Sequence, residues 1–177
     1  MRLPSRRMSK YVSPQTSTMA WLLFVGLIAA WGYGVWNSPY AFGGFTAVLG
    51  VAVAYQMIAT RAHLRRLANE RVGESICTFA REANCRENDS WAVRAVYEQI
   101  QEYLGKEFKN FPVRWSDDFE RDLKIDLEDV EDIIAIEAAQ RARRNLANPH
   151  TNPLYGKVKT VGDLVRFLVS QPNESMP

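Results

Sequence analysis

The chain has 177 residues, 47% of them hydrophobic and 24% charged, with a formal net charge of +2. These averages describe no part of the molecule: every charged side chain lies in residues 1–10 or from Arg61 onward, leaving the 50 residues 11–60 with none. That distribution excludes a single water-soluble globule and a charge-rich disordered chain, and two cysteines are too few for a disulfide framework.

A basic arm, 1–18, leads into the uncharged stretch. Residues 19–36 (MAWLLFVGLIAAWGYGVW) are apolar for about 27 Å of helix. After the polar turn Asn37-Ser38-Pro39, residues 40–60 give a second run, against the roughly 30 Å of a bilayer's hydrocarbon core. Residues 19–60 therefore read as a transmembrane hairpin. No small-x-small cleavage site follows the first run, so it reads as a retained span rather than a signal peptide. Arg2, Arg6, Arg7 and Lys10 precede the hairpin, Arg61, Arg65, Arg66 and Arg71 follow it, and no cation lies between. This asymmetry predicts a multi-pass protein with both termini cytoplasmic. Trp21, Trp31, Trp36 and Tyr40 are expected at the water interfaces. Gly26, Ala30 and Gly34 recur every four residues, as do Gly43 with Ala47 and Gly50 with Ala54. Small residues at that spacing let helices approach closely in lipid, either within the hairpin or against another subunit. Neither span contains Asp, Glu, Lys or Arg, which argues against a proton or ion pathway built from this chain alone.

From Arg61 onward the chain carries 18 basic and 20 acidic residues. The excess positive charge thus belongs to the N-terminal arm, where anionic lipid is a sufficient partner and nucleic acid is not implied. Residues 61–88 form a juxtamembrane segment. Within it 62–69 continue the second span as helix, and 73–83 place Ile76, Cys77, Phe79, Ala80 and Ala83 at helical spacing. Asp89 is positioned to cap a helix over 90–104, with Trp91, Ala95, Val96, Ile100 and Tyr103 on its apolar face and Gly105 past its end. A loop follows at 110–116. Residues 117–137 (DDFERDLKIDLEDVEDIIAIE) then hold ten carboxylates against Arg121 and Lys124 alone. Asp126 can cap a helix whose buried stripe is Leu127, Val130, Ile133 and Ile134, with Arg141, Arg143 and Arg144 at the end where cations favour the helix dipole. Residues 145–155 form a loop. Thr160 and Asp163 match a capping box for a last helix over 160–170, with Val161, Leu164, Val165 and Leu168 facing the core, and 171–177 read as a disordered tail.

Cys77 is expected to be buried and Cys85 to lie in a turn; with no CxxC and with His63 and His150 far apart, the spacing holds no zinc pattern. Phosphate-loop, dinucleotide, zincin and nucleophile-elbow motifs are absent, so neither an enzyme nor a cofactor is predicted. The carboxylate run lacks the Gly-centred loop of an EF-hand. It reads as a solvated helix face, as a docking surface for a basic partner, or as both.

The order of elements over 89–170 resembles an acyl carrier protein, and two phrases carry the resemblance. Phe119-Glu120-Arg121-Asp122-Leu123-Lys124-Ile125-Asp126 matches the family's FxxDL region, and Val158-Lys159-Thr160-Val161-Gly162-Asp163-Leu164-Val165 matches its closing helix. In that family the Asp of the first phrase precedes the serine that carries phosphopantetheine; here Asp126 is followed by Leu127, which has no hydroxyl to modify. The resemblance implies a non-catalytic carrier-like domain, with no prosthetic group. Its acidic helix meets a basic patch on a protein partner through Leu127, Glu128, Asp129, Glu131 and Asp132. The expected fold is all-α, a two-helix transmembrane hairpin followed by a small cytoplasmic helical bundle. The role the resemblance implies is an adaptor or small subunit of a complex in a bacterial inner membrane. Noncovalent handling of a lipid or acyl chain at the bilayer surface is the alternative.

Overall fold

The computed structural model describes residues 4–11, 17–85 and 88–173, and all the regular structure among them is helical. The chain divides into two compact units, residues 12–65 and residues 1–11 with 66–177.

In the first unit, α1 (Thr18–Asn37) opens on Ser17, whose hydroxyl accepts from the Met19 N–H. Ser38 alone separates it from α2 (Pro39–Glu70), and Pro39 suits a first helical position because its missing N–H has no intrahelical partner there. Both helices are long and apolar enough to cross a membrane, with mean hydropathy 1.6 over their best windows and no residue of those windows buried. Exposed apolar surface of this extent marks a surface that meets lipid or another protein, and the length of each helix suits a bilayer. They give the chain the features of a membrane protein. The two helices run antiparallel about Ser38. The Trp31 indole N–H donates to Thr46 Oγ1 at 3.3 Å, and the Thr46 hydroxyl donates to the Phe42 carbonyl at 2.7 Å. A Cβ on Gly34 would lie 2.8 Å from the Phe42 ring, whereas one on Gly26, Gly43 or Gly50 would meet no atom within 4 Å. Of the glycines in the small-residue pattern, Gly34 alone makes a close approach inside this hairpin.

In the second unit, α3 (Ile76–Glu82) is capped by Ser75 with Thr78 answering, and α4 (Ser90–Tyr103) by Asp89, which accepts from the Trp91 N–H at 3.0 Å. α4 is the hub. It packs against α3, the acidic helix, the last helix and the N-terminal turn Ser5–Arg7, and so buries Trp91, Ala92, Val93, Ala95, Val96, Tyr97, Gln99 and Ile100. Gly105, at φ +93°, ends it in a conformation open to glycine. The turn Phe119–Leu123 seats two fully buried side chains, Phe119 and Leu123, and leaves through Lys124 at φ +56°.

The acidic helix, α5, is continuous over 127–142 and capped by Asp126. Its middle, Val130–Ile134, is wound wider, the Ala135 N–H reaching back to the Val130 carbonyl. This winding corrects the expected stripe. Val130, Ile134, Ala135, Ala138, Ala139 and Ala142 form the buried line, Leu127 is half-buried, and Ile133 is 39% exposed. The last helix, α6 (Val161–Ser170), begins with the predicted capping box between Thr160 and Asp163. Its start is tied to the Phe119 turn by backbone bonds, Phe119 N–H to the Lys159 carbonyl at 3.1 Å and Val161 N–H to the Asp117 carbonyl at 2.9 Å.

Two further expectations change. Cys77 is exposed, as is Cys85, because α3 buries Phe79 and Ala83 instead. Residues 171–173 are part of the bundle: Gln171 is buried, and the Asn145 N–H donates to the Pro172 carbonyl at 2.9 Å. The rest of the expected tail, 174–177, lies outside the described residues, as does Arg2 of the basic arm.

Candidate functional site

The structure sorts the ten carboxylates of 117–137 into two groups. Six are used inside the bundle. Asp117 is buried and receives the Arg71 guanidinium in a two-pronged bond, 2.7 Å on each oxygen; Arg71 also donates to the Pro112 carbonyl, and Asp117 accepts the Arg114 N–H. Asp118 and Asp126 cap the turn and α5, while Asp122 pairs with Arg121, whose guanidinium holds its carboxyl below the usual range. Asp129 accepts the Tyr103 hydroxyl at 2.5 Å. Partial burial and then that neighbouring carboxylate push the Tyr103 pKa up to about 12. Glu137 accepts from the buried Gln99 amide; burial, with Glu102 nearby, raises its pKa.

Four remain without an ion-pair or hydrogen-bond partner among the described residues: Glu120, Glu128, Glu131 and Asp132. All four are exposed, and three of them sit on the first two turns of α5. Uncompensated carboxylates at a helix start are favoured by the dipole and project a negative field into solvent. Of the predicted recognition residues, the structure therefore leaves Glu128, Glu131 and Asp132 open to a partner. It engages Asp129 with α4 and half-buries Leu127.

The arginines expected to complement the end of α5 do different work. Arg141 is buried against α4, bonded to Glu98 and to Gln99 Oε1, and Arg144 bonds Asp89 at 2.6 Å and the Gln171 carbonyl at 2.9 Å. Arg143 lies 5.7 Å from the Trp91 ring, a cation–π distance.

Beside the open carboxylates lies a feature the sequence reading did not predict, an apolar groove of about 260 Å³ between α5, the loop 145–158 and α6. Ala135 and Ile136 form one wall, Leu146 and Tyr155 another, and Leu164 and Phe167 the floor, with Glu131 and Asp132 on the α5 side. Tyr155 is held edge-on to His150, ring centres 4.4 Å apart. Ile136 is 49% exposed and Ile133 beside it 39%. One signal was present in the sequence: Ile136 is a large apolar residue with no place in the expected stripe of Leu127, Val130, Ile133 and Ile134. The loop wall was not readable, because residues 145–155 carry no periodicity.

No group of three or more His, Cys, Asp or Glu residues is arranged to hold a metal ion among the described residues. No protein-family model matches this chain, and no curated protein or solved structure matches it.

Proposed function

We propose that this chain is a membrane-anchored, non-catalytic, acyl-carrier-like interaction module, an adaptor or small subunit of a bacterial inner-membrane complex that binds a basic protein surface through α5. The observation that supports it is the division of the carboxylates: Glu128, Glu131 and Asp132 are exposed and uncompensated, while six neighbours serve the bundle. An acidic surface that its own fold does not neutralise steers a basic partner and sets its register. Anchoring by α1 and α2 confines the search to the bilayer plane and raises the effective concentration of both proteins. The cationic flanks of the hairpin favour both termini in the cytoplasm.

The test is affinity purification of the full-length protein from native membranes in mild detergent, beside a variant with Glu128, Glu131 and Asp132 all replaced by Lys. A stoichiometric partner that the variant loses, with its helical content intact, is the expected result. A partner retained by the variant at equal yield refutes the acidic-face reading.

A second reading, that the module holds an acyl chain noncovalently, is favoured by the apolar groove. It requires acyl species to accompany the purified full-length protein in native mass spectrometry, and their consistent absence counts against it.

A further inference from the structure

The groove and the open carboxylates occupy the same side of α5, and their combination restricts what can bind. The groove measures about 260 Å³, below the roughly 300–1,000 Å³ of typical small-molecule pockets. That volume takes one or two large apolar side chains, and the charge at its mouth, rather than its size, decides against an acyl chain with an anionic head. Its α5 edge is made by Glu131 and Asp132, with Glu128 one turn away, and none of the three is neutralised. An anionic headgroup at that mouth would be repelled; a cationic neighbour would be attracted. Lys157 is not among the residues that line the groove, and its ammonium donates to the Pro153 carbonyl at 3.1 Å. Ile133 and Ile136 extend the apolar surface beyond the mouth.

We infer that the groove seats a single aromatic or leucine side chain of a protein partner whose flanking residues are Arg or Lys. The inference rests on the acidic-face reading and adds the anchor that gives it specificity. Carboxylates alone would attract any cation, whereas a buried apolar anchor ringed by charge pairs has the anatomy of an interface hot spot. Tyr155 and Phe167 supply rings against which an aromatic anchor can pack edge to face.

The experiment uses the full chain in uncharged detergent micelles and a short fluorescein-labelled, arginine-rich peptide bearing one Phe, read by anisotropy. A matched peptide with Ser in place of Phe reports charge alone. Three variants are compared: Ala135→Leu, which fills the groove; Ile136→Ser, which removes an exposed wall without touching the core; and the double variant Glu131→Gln, Asp132→Asn. The expected result is binding of the Phe peptide weakened about tenfold or more by the Ser exchange and by either groove variant, and also by loss of the two charges. If the two peptides bind equally and only the charge variant weakens them, the acidic face stands and the anchor inference is overturned. Binding indifferent to the charge variant overturns both. Displacement of the Phe peptide by dodecanoate at equal concentration assigns the groove to an acyl chain and overturns the anchor.

Discussion

Each unit of the molecule sets a glycine against an aromatic ring, and the two contacts are not alike. Gly34 in the hairpin faces the far edge of Phe42, a side chain that is itself 42% exposed and free to swing. Gly162 in the bundle faces the indole of Trp115, where an added Cβ would lie 2.5 Å from Nε1. That indole has less room to move aside. The Trp115 carbonyl accepts the Gly162 N–H at 2.9 Å, Arg166 lies 5.5 Å from the ring, and Phe79 packs 6.0 Å away. The hairpin is specified by the solvent it suits, so its individual contacts are loose. The bundle is specified by named partners, so single losses there are felt.

The sharpest way to break that contrast is the pair Arg71–Asp117, whose side chains are 6% and 2% exposed. Removing one member of a buried pair leaves the other charge stranded, at a cost of about 3–5 kcal/mol. Asp117→Ala also strips the Arg114 N–H of its acceptor. Either single substitution should lower the denaturation midpoint of the bundle steeply, followed by circular dichroism of the detergent-solubilised chain. A change under about 0.5 kcal/mol, the scale of an ordinary surface substitution, would show that the pair is dispensable.

Next in size is the glycine comparison itself. Gly162→Ala overpacks a more confined ring and should cost about 1–3 kcal/mol, while Gly34→Ala should stay within about 0.5 kcal/mol because Phe42 yields. Equal effects in the two units, measured by the same denaturation series, would erase the distinction.

The same contrast explains what the sequence made readable. Hairpin boundaries, the capping residues Asp89, Asp126 and Thr160, and the all-helical class follow from charge-free length and local hydrogen-bonding chemistry, both of which act over a few residues. The exposure of Ile133 did not follow, because the wide winding at Val130–Ile134, where the helix packs against α4, shifts the buried line. Nor did the roles of Arg141 and Arg144: each pairs with a residue of α4 or its cap more than forty positions away, a long-range choice no local rule encodes. At the candidate site, the sequence located the acidic cluster. Only the fold separated Asp117 and Asp129, which tie elements of the bundle together, from Glu128, Glu131 and Asp132, which do not.

Smaller effects test that separation through pH. Burial raises the Glu137 carboxyl above its ordinary value, so its protonated form suits the folded state. A raised folded pKa means its contribution is fully present below the unfolded value and is lost as pH rises through the folded one. Glu137→Gln keeps an acceptor for the Gln99 amide and removes the charge. It should stabilise the bundle modestly at neutral pH, with the gain over wild type shrinking as pH falls through the raised folded value and gone below the ordinary glutamate range. A gain that persists unchanged in acid would show that the charge of Glu137 is not the source.

The smallest effect concerns Tyr103, whose hydroxyl donates to Asp129 and ionises at about 12 in the folded chain, against 10 for an unperturbed tyrosine. The unfolded chain releases this proton first, so whatever stability the neutral hydroxyl gives is complete below pH 10 and is lost as pH climbs toward 12. Tyr103→Phe removes both the bond and the titration. Because the side chain is 36% exposed, the loss at neutral pH should be slight. The difference between wild type and variant in ultraviolet titration isolates this phenol from the other six tyrosines. Its release near pH 12 is expected. Release near pH 10 would mean that Asp129 is not held by α4 and is as open to a partner as Glu131 and Asp132, moving it from the structural group of carboxylates to the recognition group.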